Sequence, residues 1–426
     1  MMNEIININS FEILDSRGVP TIFTEVVLEN GIKGSASVPS GASTGIHEAL
    51  ELRDKDLNRY KGNGVLNNVK VINSMIFDAI AGIDARRQKD IDKILLDLDG
   101  TINKKKLGAN TILSVSLAVA KAAANYEKKE LYKYLGGTLS YLLPIPLVNI
   151  INGGAHANNN LDIQEYMITP IGAKTFQEAI RWCSEIFYNL KDLLKKNNYS
   201  TSVGDEGGFA SNFKNNEEPI KYLLKAIKMT KLNPERDVMI SLDVAATEFY
   251  ANKKYKISSE DKSFTNLDMS EYLLKLKNKF PIFSIEDGMA EDDWEGWSHL
   301  SNSITDNTLI VGDDLFVTNK KRLLKGITRK AANSILIKLN QIGSLTETLE
   351  TIDLAKRYNY ETIISHRSGE TEDAFIADLA VATNSMFIKS GSVTRSERLS
   401  KYNRLLILES SDKNLVYSGL VYNEKI

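Results

Sequence analysis

Six apolar runs in the second half of the chain each arrive at an ionisable residue. Residues 238–245 read VMISLDVA and reach Asp243, 282–287 read IFSIED and reach Glu286, and 309–314 read LIVGDD and reach Asp313. Residues 335–340, ILIKLN, carry Lys338; 362–367, TIISHR, carry His366 and Arg367; 386–391, MFIKSG, carry Lys389. A single acid in such a place is a strand end meeting water. Six in series call for chemistry. Three carboxylates brought to one point repel, and one would be forced to protonate. A divalent cation removes that penalty, and an all-oxygen set without Cys or His favours Mg2+ or Mn2+ over zinc. The competing arrangement is an acid ring salt-bridged to Lys338 and Lys389, but two lysines are too few to neutralise all the acids. A cation beside a lysine lowers its pKa, and a lysine so shifted can act as a general base near neutral pH. Metal plus base suits removal of a proton next to a carboxylate, where the cation stabilises the dianionic enolate. Arg367 and Ser368 in SHRSGE offer a charged fork and a hydroxyl, suited to a phosphate.

Two loops add to this set. SVGDEGGFA at 202–210 places Asp205 and Glu206 before a glycine pair that tolerates a backbone close to a ligand. SVPSGASTGIHEALELRD at 37–54 is a small-residue loop running into a helix, the composition of a flap that closes over a ligand. Residues 41–45, GASTG, match the G-x-S-x-G nucleophile elbow, but Pro39 precedes them where that elbow needs a buried strand. The chain has no P-loop and no complete G-x-G-x-x-G. His47, His156, His299 and His366 include no pair at zinc spacing on a helix. The one cysteine, Cys183, lies on the apolar face of a helical segment with Ala179, Trp182, Ile186, Phe187 and Leu190, which predicts a buried, inert thiol and excludes an internal disulfide.

These groups need a scaffold. With 426 residues the chain is too long for one small core, and two domains are expected. Fifty-three basic and 55 acidic side chains give a net charge of −2, which argues against general nucleic-acid binding. The start, MMNEIININS, has neither the basic nor the apolar region of a signal peptide. The longest apolar stretch, 111–124, is too short to span a bilayer and is interrupted by Lys121. Residues 1–138 read as an α+β domain, with antiparallel strands around the Asn30-Gly31 turn, helices at 65–81 and 109–126, and the flap. Residues 139–426 read as strands at 147–151, 164–168, 238–243, 282–286, 309–313, 334–338, 361–365 and 386–389, alternating with amphipathic helices. Eight parallel units fit a closed (β/α)8 barrel, and the crowded first two strands make its opening atypical, ββαα. In such barrels the active site lies at the carboxyl ends of the strands, so the ionisable residues would ring one mouth.

Nearly the whole length of the chain resembles the enolase family. The matching blocks include LDSRG, VPSGASTG, NIINGGAHANNNLDIQEYM, SVGDEGGFA, LDVAATEFY, SIEDGMAEDDWEGW, VGDDLFVTN, LIKLNQIGSLTETLE and SHRSGETEDAFIADLAVA. The resemblance implies reversible dehydration of 2-phospho-D-glycerate to phosphoenolpyruvate with two Mg2+ ions. It implies that Asp243, Glu286 and Asp313 hold the first ion, and that Ser43 in the flap completes the second site on closure. By the same resemblance Lys338 removes the C2 proton and Glu206 protonates the departing C3 hydroxyl. Lys389 then meets the substrate carboxylate, and Arg367 with Ser368 the phosphate. His156, Gln164 and Glu165 line the pocket, and His366 sits next to the substrate; Glu165 and His366 count with Lys338 and Glu206 as catalytic. Val19 stands where the family usually has Asn, and Met289 where Leu is common; neither is an expected ligand. The resemblance further implies a cytoplasmic homodimer or octamer that in some bacteria also reaches the cell surface and binds host proteins, or joins RNA-degrading assemblies. Two rival readings are a superfamily member acting on a non-phosphorylated acid, against which Arg367, Ser368 and the flap argue, and a catalytically dead adhesin, against which Lys338, Glu206 and the three metal acids argue.

Overall fold

The computed structural model describes residues 3–41 and 45–425. The chain opens as an antiparallel meander of β1 (Ile5–Leu14), β2 (Pro20–Leu28) and β3 (Lys33–Ser37). The expected Asn30-Gly31 turn joins the last two, with Gly31 at φ 79° and its N–H donating to Leu28 O at 2.8 Å. Against this sheet lies α1 (Ala109–Tyr126), whose residues 109–120 are all buried. A helix buried on every side has no solvent face, and this one, with Asn110, Thr111, Ser114 and Ser116 buried among its apolar residues, is the core of the first domain. β3 approaches it so closely that a Cβ at Gly34 would stand 2.0 Å from the backbone N of Ala122. The helix expected at 65–81 is present as Leu66–Val71 and Phe77–Ile80, with a wider π turn at Ile72–Ile76 between them.

The second half closes into an eight-stranded barrel. Its strands are β4 (Ile145–Asn152), β5 (Glu165–Thr169), β6 (Met239–Asp243), β7 (Ile282–Glu286), β8 (Leu309–Gly312), β9 (Ser334–Ile337), β10 (Glu361–Ser365) and β11 (Phe387–Lys389). They neighbour one another in chain order, and β11 pairs in parallel with β4 to close the ring. Helices cover the outside, among them α2 (Phe176–Lys196), α3 (Glu217–Met229), α4 (Asn266–Lys279), α5 (Trp294–Ser303), α6 (Lys320–Arg329), α7 (Leu345–Arg357), α8 (Phe375–Ala382) and α9 (Ser396–Ser411). Cys183 on α2 is buried, and burial pushes its thiol pKa up, so the inert reading stands. Among the described residues no helix is long and apolar enough to cross a membrane.

One expectation needs correction. The eight strands are not all parallel: β5 runs antiparallel to both β4 and β6. The physical cause is the link. Only residues 153–164 separate β4 from β5, and they hold one short 3-10 turn, Gly154–His156. A parallel return needs a crossover, usually a helix, which this link lacks. The two helices α2 and α3 come afterwards, which gives the ββαα opening. The reversal has a consequence at the mouth. The first residue of β5, Glu165, pairs in register with the last residue of β6, Asp243, which pairs in turn with Glu286.

Candidate active site

Lys389 occupies the centre of the barrel mouth. Its Nζ lies 2.9 Å from Asp243 Oδ2, 2.8 Å from Glu286 Oε1 and 3.3 Å from Glu165 Oε1. The pattern follows from the strands. Glu165, Asp243 and Glu286 sit side by side on β5, β6 and β7, and Lys389 ends β11 across the ring. Burial works against the ammonium, but Asp243, Glu165 and Glu286 overcome it and hold Lys389 well above the usual lysine value. Gln164, beside Glu165, donates from Nε2 to Asp243 Oδ2 at 3.3 Å.

The third predicted metal acid stands with a different lysine. Asp313 Oδ2 accepts from Lys338 Nζ, and its Oδ1 accepts from Gln341 Nε2 at 2.8 Å. Burial pulls the Lys338 pKa down, but Asp313 outweighs it and the net direction is up. The expected triplet of Asp243, Glu286 and Asp313 is therefore shared between two ammonium groups, each taking the counter-charge it needs. Among the described residues two sets bring their ligand atoms within 4.8 Å of one another: His156, Glu165 and Glu206, and Asp287, Asp313 and Asp314. Asp287 fixes the other two from behind: its Oδ1 accepts the Asp313 N–H at 2.9 Å and its Oδ2 the Asp314 N–H at 2.8 Å.

A second group faces the first. Glu206 Oε1 lies 3.7 Å from His156 Nδ1, and Glu206 Oε2 lies 3.5 Å from His366 Nε2 and accepts from Asn149 Nδ2 at 3.2 Å. Burial raises the Glu206 pKa, but the cationic neighbours, His156 first, hold it well below the usual carboxylate value. Glu165 follows the opposite course: burial and then the charge of Glu206 push it up to about 7. His366 accepts at Nδ1 from the guanidinium of the fully buried Arg398, 2.7 Å away, whose Nη2 also donates to Ser368 O at 2.5 Å. The phosphate-type fork, Arg367, meets a carboxylate from the first domain: Nη1 lies 2.9 Å from Glu48 Oε2 and Nη2 3.2 Å from Glu48 Oε1.

His156, Gln164, Glu165, Glu206, Asp243, Asp287, Asp313, Lys338, His366, Arg367 and Lys389 line one cleft, as do Ser368, Asp314 and Glu248, while Asn149, Glu286, Gln341, Arg398 and Glu48 stand behind them. Among the described residues that line it, Glu165, Glu206, Asp243, Glu248, Asp287, Asp313 and Asp314 face only Lys338, Lys389 and Arg367 as permanent cations. Acids in such excess, all buried but the half-buried Asp314 and the exposed Glu248, are poised for positive charge. Burial first, then neighbouring carboxylates, raise Glu286, Asp287 and Asp314 well above their ordinary values. Glu165 Oε2 and Gln164 Oε1 are buried with no hydrogen bond among the described residues. An all-oxygen, buried, electron-rich set fits a hard divalent cation. Ser43, expected at a second metal site, lies outside the described residues, as do Ala42 and Thr44.

Every other expected residue reaches this cleft or its wall. Missed from the sequence were Glu48, Asp287, Asp314, Gln341 and Arg398. The doubled acids in IEDG and GDDL were the available signal for Asp287 and Asp314. Arg398 had none, since an arginine on a helix of mixed charge reads as surface.

Carboxylates, lysines and an arginine gathered at the carboxyl mouth of a barrel make this a lyase of the enolase superfamily. The chain belongs to the enolase family: residues 5–135 match the family model described as "Enolase, N-terminal domain", and residues 140–425 match "Enolase, C-terminal TIM barrel domain".

Proposed function

We propose that the protein catalyses the reversible dehydration of 2-phospho-D-glycerate to phosphoenolpyruvate, the glycolytic step, with two Mg2+ ions. The observation that carries this reading is that a lysine, Lys338, and an acid–base carboxylate, Glu206, line the same cleft as Arg367, Ser368 and Lys389. Asp243, Glu286 and Asp313 would hold the first ion and Ser43 would contribute to the second. When bound, the ions neutralise these acids and stabilise negative charge gathering on the substrate carboxylate.

Lys389 pairs with the substrate carboxylate, and Arg367 and Ser368 take the phosphate. Lys338 removes the proton from C2. It can accept only as the amine; Asp313 raises its pKa against the effect of burial, and a cation held by Asp313 would remove that restraint. The electron pair left by the C2 proton then forms the C2–C3 double bond, and the C3–O bond breaks as Glu206 gives its proton to the leaving hydroxyl, releasing water. His156 favours the ionised form of Glu206. The substrate brings a phosphate and a carboxylate of its own, and like charge raises the Glu206 pKa toward the protonated form an acid needs. In hydration the same carboxylate serves as the base. His156, Gln164, Glu165 and His366 shape and polarise the pocket. The reading extends to a division between domains at 138/139 and to a cytoplasmic homo-oligomer.

The test follows phosphoenolpyruvate absorbance with 2-phosphoglycerate as substrate, with and without Mg2+. No absorbance change at saturating Mg2+ would sink the proposal.

A further inference from the structure

Glu48 belongs to none of the roles above. It lies in the 37–54 segment of the first domain, yet its side chain is buried against the barrel's Arg367. Its two oxygens face the Nη1 and Nη2 ends of Arg367, 2.9 and 3.2 Å away. A bidentate pair of this kind fixes the plane of a guanidinium as well as its position. Burial works against the charge on Arg367, and Glu48 is the first of the groups that restore it. The same carboxylate accepts the Gly45 N–H at 3.2 Å, so it also ties down the exit of the flap.

Glu48 is held in turn by the segment after Lys338. Gln341 Nε2 approaches Glu48 Oε1 at 3.4 Å while donating to Asp313 Oδ1 at 2.8 Å, and the Ala49 N–H donates to Gln341 O at 2.8 Å. Asn340 Oδ1 accepts from Arg367 Nη1 at 3.3 Å, and its Nδ2 donates to Glu51 Oε1 at 3.0 Å. One short stretch of the first domain thus touches the arginine directly and the acid that pairs with Lys338 through Gln341.

We propose that Glu48 is a positioning residue that orients the Arg367 fork for the substrate's phosphate and so couples the first domain to phosphate binding. The proposal rests on the dehydratase reading above.

The test compares Glu48→Gln with Glu12→Gln, a change in the same domain at a carboxylate held by Arg59, which leaves the Arg367–Glu48 pair intact. For Glu48→Gln, KM for 2-phosphoglycerate rises about tenfold or more while kcat changes less than about threefold, the pattern of lost ground-state binding. Inorganic phosphate binding, measured by calorimetry without turnover, weakens by a similar factor. Glu12→Gln lowers the melting temperature but leaves KM and phosphate binding at the parent values. If Glu48→Gln does not fold, Glu48→Asp, which keeps the charge but withdraws it by one methylene, should give the same split at smaller size. Unchanged phosphate binding, tighter phosphate binding (Glu48 as a competitor), or a loss in kcat alone each overturns the proposal. Failure of the parent to turn over 2-phosphoglycerate overturns the dehydratase reading instead, and the calorimetry still decides the role of Glu48.

Discussion

In the proposed elimination two side chains on different supports carry different protons, so the steps can be broken apart. Lys338 follows a barrel strand and Glu206 sits on a loop. Lys338→Ala should lose both dehydration and exchange of the C2 proton with deuterated solvent, by at least about 10²–10⁴-fold. Glu206→Gln should lose dehydration by a similar factor and keep measurable C2 exchange. Parent-rate exchange in Lys338→Ala, read by proton NMR, would move the base to Lys389. A second prediction concerns His366. A guanidinium only donates, so the contact from Arg398 makes His366 Nδ1 an acceptor and places the ring proton on Nε2, facing Glu206. Burial first, then Arg398, holds the ring well below the usual histidine pKa. Nitrogen-15 spectra at pH 7 should therefore show a neutral Nε2–H tautomer; an Nδ1–H or doubly protonated ring contradicts the assignment. What the sequence made visible at this scale was chemistry that strand geometry delivers: an acid after an apolar run can be read in one dimension. What stayed hidden was partner choice. Glu48 and Arg367 are 319 positions apart, and no local pattern joins them.

Strands and helices show the same division. The eight barrel strands appear within two residues of their expected ends because an apolar run of strand length bounded by turn signals is a local property. The direction of β5 is not local in that sense. It depends on how far residues 153–164 can reach, and the absence of a helix there was the clue that the parallel reading passed over. That reversal also explains how Glu165, the first residue of its strand, reaches a mouth built from strand ends. In the first domain the decisive feature is a contact distance. Gly34 lets β3 lie against α1, and a Cβ there would meet Ala122 N at 2.0 Å and Ala118 O at 2.5 Å, both backbone atoms that cannot turn aside. Gly34→Ala should destabilise the protein by about 1–3 kcal/mol or more through overpacking. Urea unfolding followed by circular dichroism checks this; a midpoint equal to the parent's would mean that the sheet and α1 can separate without cost.

At the scale of the whole molecule, the first domain has to stay docked for Glu48 to reach the barrel, and a charged pair remote from the cleft helps hold it there. Lys121 on α1 lies 2.8 Å from each oxygen of Asp373, in the loop before α8. Asp373 Oδ2 also accepts the N–H of Ser37, the last residue of β3, at 3.0 Å. One carboxylate therefore ties both the sheet and the central helix of the first domain to the barrel. Burial pushes the Asp373 pKa up, but Lys121 and the hydrogen bonds outweigh it and the net direction is down. A folded-state pKa below the unfolded value of about 3.9 means that the unfolded chain takes up the proton first. The contribution to stability is then fully present above the unfolded value and disappears as pH falls through the lower, folded one. Asp373→Asn should cost about 2 kcal/mol at pH 7, in the range for hydrogen bonds to a charged group. The difference from the parent should persist down to about pH 5 and shrink steadily below about pH 4. Urea unfolding of both proteins at pH 7, 5 and 3 measures it, and because the comparison is between two chains differing at one position, the other titrating groups largely cancel. A gap that stayed constant from pH 7 to pH 3 would mean that Asp373 acts through its shape and hydrogen bonds alone, and that its charge does not hold the domains together.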